Sequence, residues 1–226
     1  MSSLPAELDR LLHDLRGPLN SAVMHLEVLR RLTVSDPSAK QSLDTLHEQL
    51  QRLAIMLPVA FDVVALELGP TRRLSLDEVV AAAVHEVGGD VTVAEGPWPC
   101  VEGDERLLTV AVAHLIRNAI EATRAAAVPR PAPRVNAVVS SHGEAVLTVR
   151  DWGIGLKSTN AKILTRLTAG ASGIRPRGVG LLTAERVARL HGGELRFLAP
   201  GDGAEVSLSL PLEADSEGRA HPDKPT

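Results

Sequence analysis

An apolar repeat in the first third of the chain strongly limits how the chain can fold. Between residues 4 and 33, apolar side chains recur at alternating spacings of four and three, and the same spacings return between residues 43 and 60. The two sets are Leu8, Leu12, Leu15, Leu19, Ala22, Leu26 and Leu29, then Leu43, Leu46, Leu50, Leu53, Leu57 and Ala60. This heptad pattern is typical of long helices that bury one stripe against a partner. The sequence therefore predicts two long helices that need partners in water.

A turn separates the two predicted helices. The segment Val34-Ser35-Asp36-Pro37 offers a capping side chain at Ser35 or Asp36 and a proline suited to a first helical turn. The helices are therefore expected to form an antiparallel hairpin. Since one hairpin of this length leaves much of its seam in water, we expect a homodimer in which two hairpins close a four-helix bundle.

The helical period stops at Leu68-Gly69-Pro70, where glycine and proline interrupt it. Beyond this point the pattern predicts helices at 76–87, capped by Ser75, at 104–126 and at 181–190, and strands at 72–74, 91–93, 101, 134–140, 144–150, 194–198 and 204–210. Helices and mostly antiparallel strands interleave, so the fold class is α+β. We expect a helical hairpin over residues 1–67, an α/β sandwich over residues 68–212 and a disordered tail over residues 213–226.

Composition excludes several classes of protein. The 226 residues carry 24 basic and 28 acidic side chains, and only 2% are aromatic, so neither a basic surface nor stacking groups for nucleic acid are expected. The single cysteine, Cys100, suits a reducing cytoplasm. The beginning of the chain has no export signal, and its most apolar window, residues 53–66, contains Pro58 and Asp62. The sequence therefore predicts a cytoplasmic protein that does not enter a membrane.

Short motifs in the chain carry residues suited to chemistry. On the first helix, Asp14 could accept a hydrogen bond from one ring nitrogen of His13 and leave the other nitrogen as a nucleophile. Gly17 and Pro18 follow this pair and are expected to bend or loosen the helix. Taken alone, such a histidine is usually an ordinary surface residue.

Three further motifs lie in the predicted sandwich. Asn118 lies on the long helix, the segment Asp151-Trp152-Gly153-Ile154-Gly155 ends a strand, and Gly178-Val179-Gly180 opens a helix. The free N–H groups of a helix N-terminus suit phosphate. Each motif also has an ordinary explanation, as a solvated asparagine, a turn or a chance glycine pair.

Together and in this order, the motifs resemble those of the histidine kinases of two-component signalling systems, over residues 8–211. Residues 13–19 resemble the phospho-acceptor box of that family, residues 114–122 its asparagine box, residues 151–155 its first glycine box and residues 176–180 its second. The resemblance implies a Bergerat-fold ATP-binding domain after the hairpin. It also implies a kinase that phosphorylates its own histidine from Mg-ATP and passes the phosphoryl group to an aspartate in the receiver domain of a response regulator. A separate sensor protein is a candidate partner.

The resemblance also implies a role for each matching residue. His13 would receive the phosphoryl group, with Asp14 as base or orienting residue, and Asn118 would bind Mg²⁺. Asp151 would accept a hydrogen bond from the adenine amino group. The glycines would let the backbone approach the nucleotide, namely Gly153 and Gly155 at the base and Gly178 and Gly180 at the phosphates. We add Arg175 and Arg177 as charge partners of the phosphates.

This chain departs from the pattern of the family at several positions. Pro176 stands where the second glycine box usually begins with glycine, no phenylalanine-bearing box is visible in residues 162–168, and His114 replaces an asparagine or glutamate. Gly17 stands where a threonine or asparagine often aids dephosphorylation of the partner, which puts phosphatase activity in doubt. These departures leave open an alternative, a histidine phosphotransfer adaptor whose C-terminal domain does not bind ATP. A serine kinase or regulatory ATPase would share the nucleotide fold without needing His13.

Overall fold

A computed structural model describes residues 4–32, 37–156, 158–160, 164–165, 168–169 and 176–212 of the chain. It begins with two long helices, α1 (Leu4–Leu32) and α2 (Pro37–Val64), which pack against each other. The predicted helices are confirmed, and Pro37 is the first residue of α2. The predicted cap at Ser35 or Asp36 lies outside the described residues. α1 continues as a helix through Gly17 and Pro18.

The apolar seam of the hairpin is only partly covered within one copy of the chain. Leu26 is buried, whereas Leu29, Leu46 and Leu53 keep 50%, 53% and 47% of their surface exposed. Met24 on α1 is 71% exposed. Isolated apolar side chains on a surface are ordinary, but a row of them along a heptad seam is typical of a helix that packs on a further partner.

The rest of the chain alternates helices and strands, which confirms the α+β class. The elements are β1 (Arg72–Ser75), α3 (Leu76–Val87), β2 (Thr92–Val93), β3 (Cys100–Gly103), α4 (Glu105–Arg124), β4 (Arg134–Val139), β5 (Glu144–Arg150), β6 (Thr168–Ala169), β7 (Pro176–Arg177), α5 (Val179–Leu190), β8 (Glu194–Leu198) and β9 (Glu205–Pro211). Ser75 holds the N-cap position of α3 as predicted, but its hydroxyl bonds the carboxylate of Asp77 instead of a backbone N–H group.

Five strands form the main sheet, in the order β2-β4-β5-β9-β8. β2 and β4 are parallel over two residue pairs, and the other neighbours are antiparallel. Along β5, buried and half-exposed residues alternate, so one face of the strand contributes Ala145, Leu147 and Val149 to the core. α4 packs on both α3 and β5 and buries Leu108, Val112 and Ile116 among its core residues. Burial of each such side chain stabilises the fold by about 1.5–3 kcal/mol.

The tertiary contacts divide the chain into two units. The first unit comprises Met1–Glu67 and Ser158–Val187, and the second comprises Leu68–Lys157 and Ala188–Thr226. α5 therefore begins in the first unit and ends in the second. The division into domains at residues 67 and 68, with the sandwich reaching residue 212, stays a prediction. The predicted tail, residues 213–226, lies outside the described residues. In the described ranges, no helix is long and apolar enough to cross a membrane.

Candidate functional site

Asp104 fixes the start of α4, the helix that carries Asn118. As N-cap residue, it accepts a hydrogen bond from the Leu107 N–H on Oδ1 (3.1 Å) and one from the Gly69 N–H on Oδ2 (2.8 Å). Its own N–H donates to Nε2 of His191 (3.0 Å). Burial raises the pKa of the Asp104 carboxyl, but the hydrogen bonds from Leu107 and Gly69 outweigh this effect and lower the pKa below its ordinary value. α4 is thereby tied at its N-terminus to two distant segments.

Asn118 lies in the fourth turn of α4 with its side chain exposed, although the next residue, Ala119, is buried. Its carboxamide makes no hydrogen bond to any residue in the described part of the chain. An amide oxygen in this position is free to bind a cation or a polar ligand.

His114 lies one turn before Asn118 and is partly buried. Arg117 donates to its Nδ1 over 3.4 Å and forms an ion pair with Glu86 of α3 over 3.6 Å. Burial lowers the pKa of His114, and the positive charge of Arg117 lowers it further. The negative charge of Glu86 offsets only part of this lowering. Burial and Arg117 therefore favour the neutral form of the imidazole one turn before Asn118.

Asp151 follows the last residue of β5 and is only 6% exposed. Its backbone N–H donates to the Ala204 carbonyl (2.9 Å), and its Oδ1 accepts from the N–H groups of Gly153 (2.8 Å) and Ala204 (3.2 Å). No described residue donates a hydrogen bond to Oδ2. One oxygen thus holds the carboxylate in place, and the other can accept a hydrogen bond from a ligand.

The glycines after Asp151 are required by close packing. A Cβ on Gly153 would lie 2.6 Å from the carbonyl carbon of Ala122, so the loop is pressed against the last turn of α4. Gly155 has a φ of +75°, in the left-handed region that favours glycine. A Cβ on Gly203, which has a φ of +124°, would lie 2.7 Å from Cα of Trp152. These contacts hold the loop beside the helix that carries Asn118.

The second glycine pair lies where α5 begins. Gly178 has a φ of +87°, and its carbonyl accepts the first hydrogen bond of the helix, from the Leu182 N–H (3.0 Å). Gly180 is the second residue of α5, so its N–H is one of those without an acceptor inside the helix. Arg177 ends β7 and Arg175 lies outside the described residues, as do the side chains of Arg177, His13 and Asp14.

The structure therefore brings together some of the candidate residues. Asn118, Asp151, Gly153 and Gly155 lie in the second unit, where the loop after β5 contacts α4. His13, Asp14, Arg177, Gly178 and Gly180 lie in the first unit. The described residues contain no group of three histidine, cysteine, aspartate or glutamate side chains that could hold a metal ion. Asn118 fits a Mg²⁺ ion whose other ligands are water and phosphate oxygens, the usual manner of Mg²⁺ binding at nucleotides.

Sequence reasoning missed Ala204 and the linking role of Asp104. Ala204 supports Asp151 with both its backbone groups, which no side-chain pattern reveals, and Asp104 was expected only to start a helix. The Gly103-Asp104 pair just before a strongly amphipathic helix was the one local sign of a cap.

Comparisons with known proteins agree with the fold and the order of motifs. Residues 7–57 match the family described as His Kinase A (phospho-acceptor) domain. Residues 103–214 match the family described as histidine kinase-, DNA gyrase B-, and HSP90-like ATPase.

Among curated proteins, the sensor-like histidine kinase SenX3 of Mycolicibacterium smegmatis is 26% identical over 92% of this chain and 57% of its own length. The histidine protein kinase DivJ of Caulobacter vibrioides is 29% identical over 91% of this chain and 37% of its own length. The chain thus spans little more than half of one relative and about a third of the other.

Solved structures show the same fold. Full-length ShkA in complex with AMPPNP superposes with a TM-score of 0.58 at 21% identity, covering 93% of this chain and 46% of that one. The ATP-binding domain of PrrB from Mycobacterium tuberculosis superposes with a TM-score of 0.51 at 21% identity, covering 65% of this chain and all of that one.

Proposed function

Because the chain belongs to the histidine kinases, with the phospho-acceptor and ATPase regions of that family in their usual order, we propose that it is an ATP-dependent protein-histidine kinase. It phosphorylates His13 from Mg-ATP and passes the phosphoryl group to an aspartate of a response regulator. The observation that carries this proposal is Asp151, a buried carboxylate with one oxygen held by two backbone N–H groups and the other uncommitted. ATP as the donor places the reaction in the cytoplasm.

The residues of the nucleotide site have distinct roles in this proposal. Asp151 Oδ2 accepts a hydrogen bond from the adenine amino group, and Gly153 and Gly155 shape the loop beside it. Asn118 would hold the Mg²⁺ ion, and the ion would neutralise part of the negative charge of the phosphates. Gly178 and Gly180 present the N-terminal N–H groups of α5 to the phosphates, and Arg175 and Arg177 balance their charge.

Phosphoryl transfer depends mainly on positioning and charge neutralisation. Asp14 orients the ring of His13 by accepting a hydrogen bond from one ring nitrogen. The other nitrogen attacks the γ-phosphorus, the N–P bond forms as the bond to the bridging oxygen breaks, and ADP leaves. Asp14 takes up the ring proton, so the phosphohistidine is neutral at the ring before transfer to the regulator aspartate.

The dimer is part of the proposal, because two hairpins would cover the exposed seam in a four-helix bundle. Two-fold symmetry would give each bundle two phospho-acceptor histidines and a surface for the receiver domain. Domains 1–67 and 68–212 then correspond to acceptor and donor.

The decisive experiment incubates the purified chain with γ-labelled ATP and Mg²⁺. We expect an acid-labile, alkali-stable label that is lost in His13→Ala and Asn118→Ala. His142→Ala in the exposed turn between β4 and β5 and Asn136→Ala on β4 are matched controls, and both should keep the label. Label that survives in His13→Ala would refute the acceptor, and label that survives in Asn118→Ala would refute the metal site.

A phosphotransfer adaptor is the second candidate, and Pro176 is the observation that favours it. This residue stands where the family usually has a glycine, and it is paired with Ala169 in the short β6–β7 ladder. Proline restricts the backbone that must close over the phosphates. An adaptor would bind no Mg-ATP at millimolar concentration and would accept phosphate at His13 only from another phosphorylated protein.

A further inference from the structure

The C-terminal end of α2 is only partly capped by the residues that follow it, since Ala65 and Leu66 donate to the carbonyls of Phe61 and Val63. The last carbonyls of a helix have no intrahelical donor, and this end of the helix dipole favours positive charge. α2 has no basic residue in its last turn and instead carries the exposed Asp62 there. A positively charged donor from elsewhere in the chain would therefore stabilise this end of the helix.

Arg186 of α5 supplies that donor. Its Nη2 donates to the carbonyls of Val64 (3.2 Å) and Leu66 (3.1 Å), although 120 or more residues separate them in sequence. Its Nε is buried and has no hydrogen-bond partner among the residues that the structure describes. A buried donor without an acceptor is unfavourable. The guanidinium is thus held against the end of α2 by Nη2, while its Nε remains without an acceptor within the described ranges.

The same helix begins at the proposed phosphate-binding turn. Gly178 and Gly180 open α5, and Arg186 follows eight residues after Gly178 on one uninterrupted helix. The short strands β6 and β7, which precede this turn, also contact α2. These contacts all lie within the first unit. A displacement at the start of α5 is therefore transmitted to the point where Arg186 meets α2.

The end of α2 lies about two helical turns beyond the level of His13 along the hairpin. Because α1 and α2 are joined by the short segment 33–36, residues at equal distances from it lie opposite one another, and His13 falls opposite the region of Met56. At a rise of about 1.5 Å per residue, Val64 is about 12 Å further along α2. Arg186 thus attaches α5 to α2 about two helical turns from the level of His13, the proposed acceptor.

From these contacts we propose that Arg186 is a positioning residue, which ties the phosphate-binding end of α5 to the C-terminal end of α2. The inference rests on the proposed function and deepens it. Arg186 does not touch the nucleotide. It keeps the helix that holds the phosphates in a fixed relation to the hairpin, so that its loss impairs transfer to His13 without weakening nucleotide binding.

The first test separates binding from transfer in the full chain. For Arg186→Ala we expect the rate of His13 phosphorylation at saturating Mg-ATP to fall about tenfold or more, because small misplacements are costly in phosphoryl transfer. The Kd for AMPPNP should stay within about twofold of wild type, since no binding contact is removed. Arg186→Lys keeps the charge and one donor, so it should recover part of the rate. Arg196→Ala, an exposed arginine paired with Glu194 on β8, is the matched control and should not change the rate.

The second test follows amide hydrogen exchange at Ala65 and Leu66, whose N–H groups bond Phe61 and Val63. In wild type, AMPPNP should slow exchange at these two amides, and in Arg186→Ala this response should disappear. If Arg186 only stabilised the end of the helix, Arg186→Ala would raise exchange at these amides but would alter neither the response to AMPPNP nor the rate of phosphorylation. If Arg186→Ala does not fold, Arg186→Gln, which removes the charge but keeps a donor, provides the same comparison.

The outcomes distinguish this inference from the function on which it rests. An Arg186→Ala protein with a wild-type rate, a Kd that rises in parallel with the loss of rate, or an intact exchange response overturns the positioning role alone. A wild-type chain that neither binds AMPPNP nor labels His13 overturns the kinase proposal and the positioning role with it.

Discussion

Asp151 combines a structural role with the proposed role in binding the nucleotide. Its Oδ1 is occupied by the N–H groups of Gly153 and Ala204. Asp151→Asn can keep this acceptor and place an amide NH₂ at Oδ2, where it cannot accept a hydrogen bond from an amino group. We expect unfolding free energy within about 1 kcal/mol of wild type and nucleotide affinity reduced at least about tenfold. Calorimetric titration with AMPPNP and thermal denaturation measure the two effects. Asp202→Asn, which alters an exposed partner of Arg150, should change neither by as much.

Gly153 shows the strictest steric constraint of the first glycine box. Because a Cβ there would lie 2.6 Å from the Ala122 carbonyl carbon, Gly153→Ala must push the loop away from α4. We expect a loss of about 1–3 kcal/mol in unfolding free energy, the usual cost of overpacking. Chemical denaturation measures it. Gly143→Asn is the control, because a Cβ at that turn would meet nothing within 4 Å and asparagine tolerates its left-handed φ of +73°. Equal stability of the two variants would contradict the packing described.

His114 gives the fold a dependence on pH. Its pKa is lowered in the folded state by burial and by Arg117, so the unfolded chain binds more protons once the pH falls below the ordinary histidine value of about 6.5. Unfolding free energy therefore decreases as pH falls through that region, with a slope of at most about 1.4 kcal/mol per pH unit from this residue. His114→Gln should reduce the slope measured by urea denaturation between about pH 7 and 5. His142→Gln, at an exposed turn, should leave it unchanged, and an equal slope in both variants would count against this account.

At the scale of elements, α1 contains an unfavourable pair just after His13, the proposed phospho-acceptor. Gly17 is exposed and a Cβ on it would meet nothing within 4 Å, and Pro18 cannot donate a hydrogen bond to the Asp14 carbonyl. Gly17→Ala with Pro18→Ala should therefore stabilise the helix by about 2–4 kcal/mol. If the pair exists to let α1 bend during transfer, the double variant will also phosphorylate His13 more slowly. Thermal denaturation and γ-label incorporation test the two parts. Asn20→Ala, an exposed change in the next turn, controls for added helix propensity.

The elements themselves were predictable because their signals are local. The helix predicted at 76–87 matches α3, that predicted at 104–126 matches α4 to within two residues, and α5 begins two residues earlier than predicted. The tertiary contacts could not be predicted in the same way. The hydrogen bonds of Asp104 to Gly69 and of Arg186 to Leu66 join residues 35 and 120 positions apart, and neither pair leaves a periodic signal. For the same reason the motif residues could be proposed from the sequence, but the contacts that support them could not.

At the scale of the whole molecule, two of these contacts limit where the chain can bend. The Leu66 carbonyl is held by Arg186 in the first unit, and the Gly69 N–H is held by Asp104 in the second. Only Glu67 and Leu68 lie between these two attachments. A kinase whose acceptor and nucleotide lie on different parts of the chain needs movement between them. Bending of the segment between Leu66 and Gly69 is therefore expected at these two residues, at the start of the Leu68-Gly69-Pro70 segment where the helical pattern ends.

The oligomeric state follows from the seam of the hairpin. Leu46 and Leu53 are each about half exposed in one copy, and a second copy that covered the exposed half would contribute about 0.7–1.5 kcal/mol per leucine, half of the value for complete burial. In Leu46→Glu with Leu53→Glu, charges at these positions would have to lose their hydration inside a bundle. We expect the wild-type chain to sediment as a dimer and the double variant as a folded monomer. Leu198→Glu, which changes a leucine of similar exposure on β8, should remain dimeric. A monomeric wild type, or a double variant that still dimerises, would show that this seam is not the interface, and the exposed leucines would then require another partner.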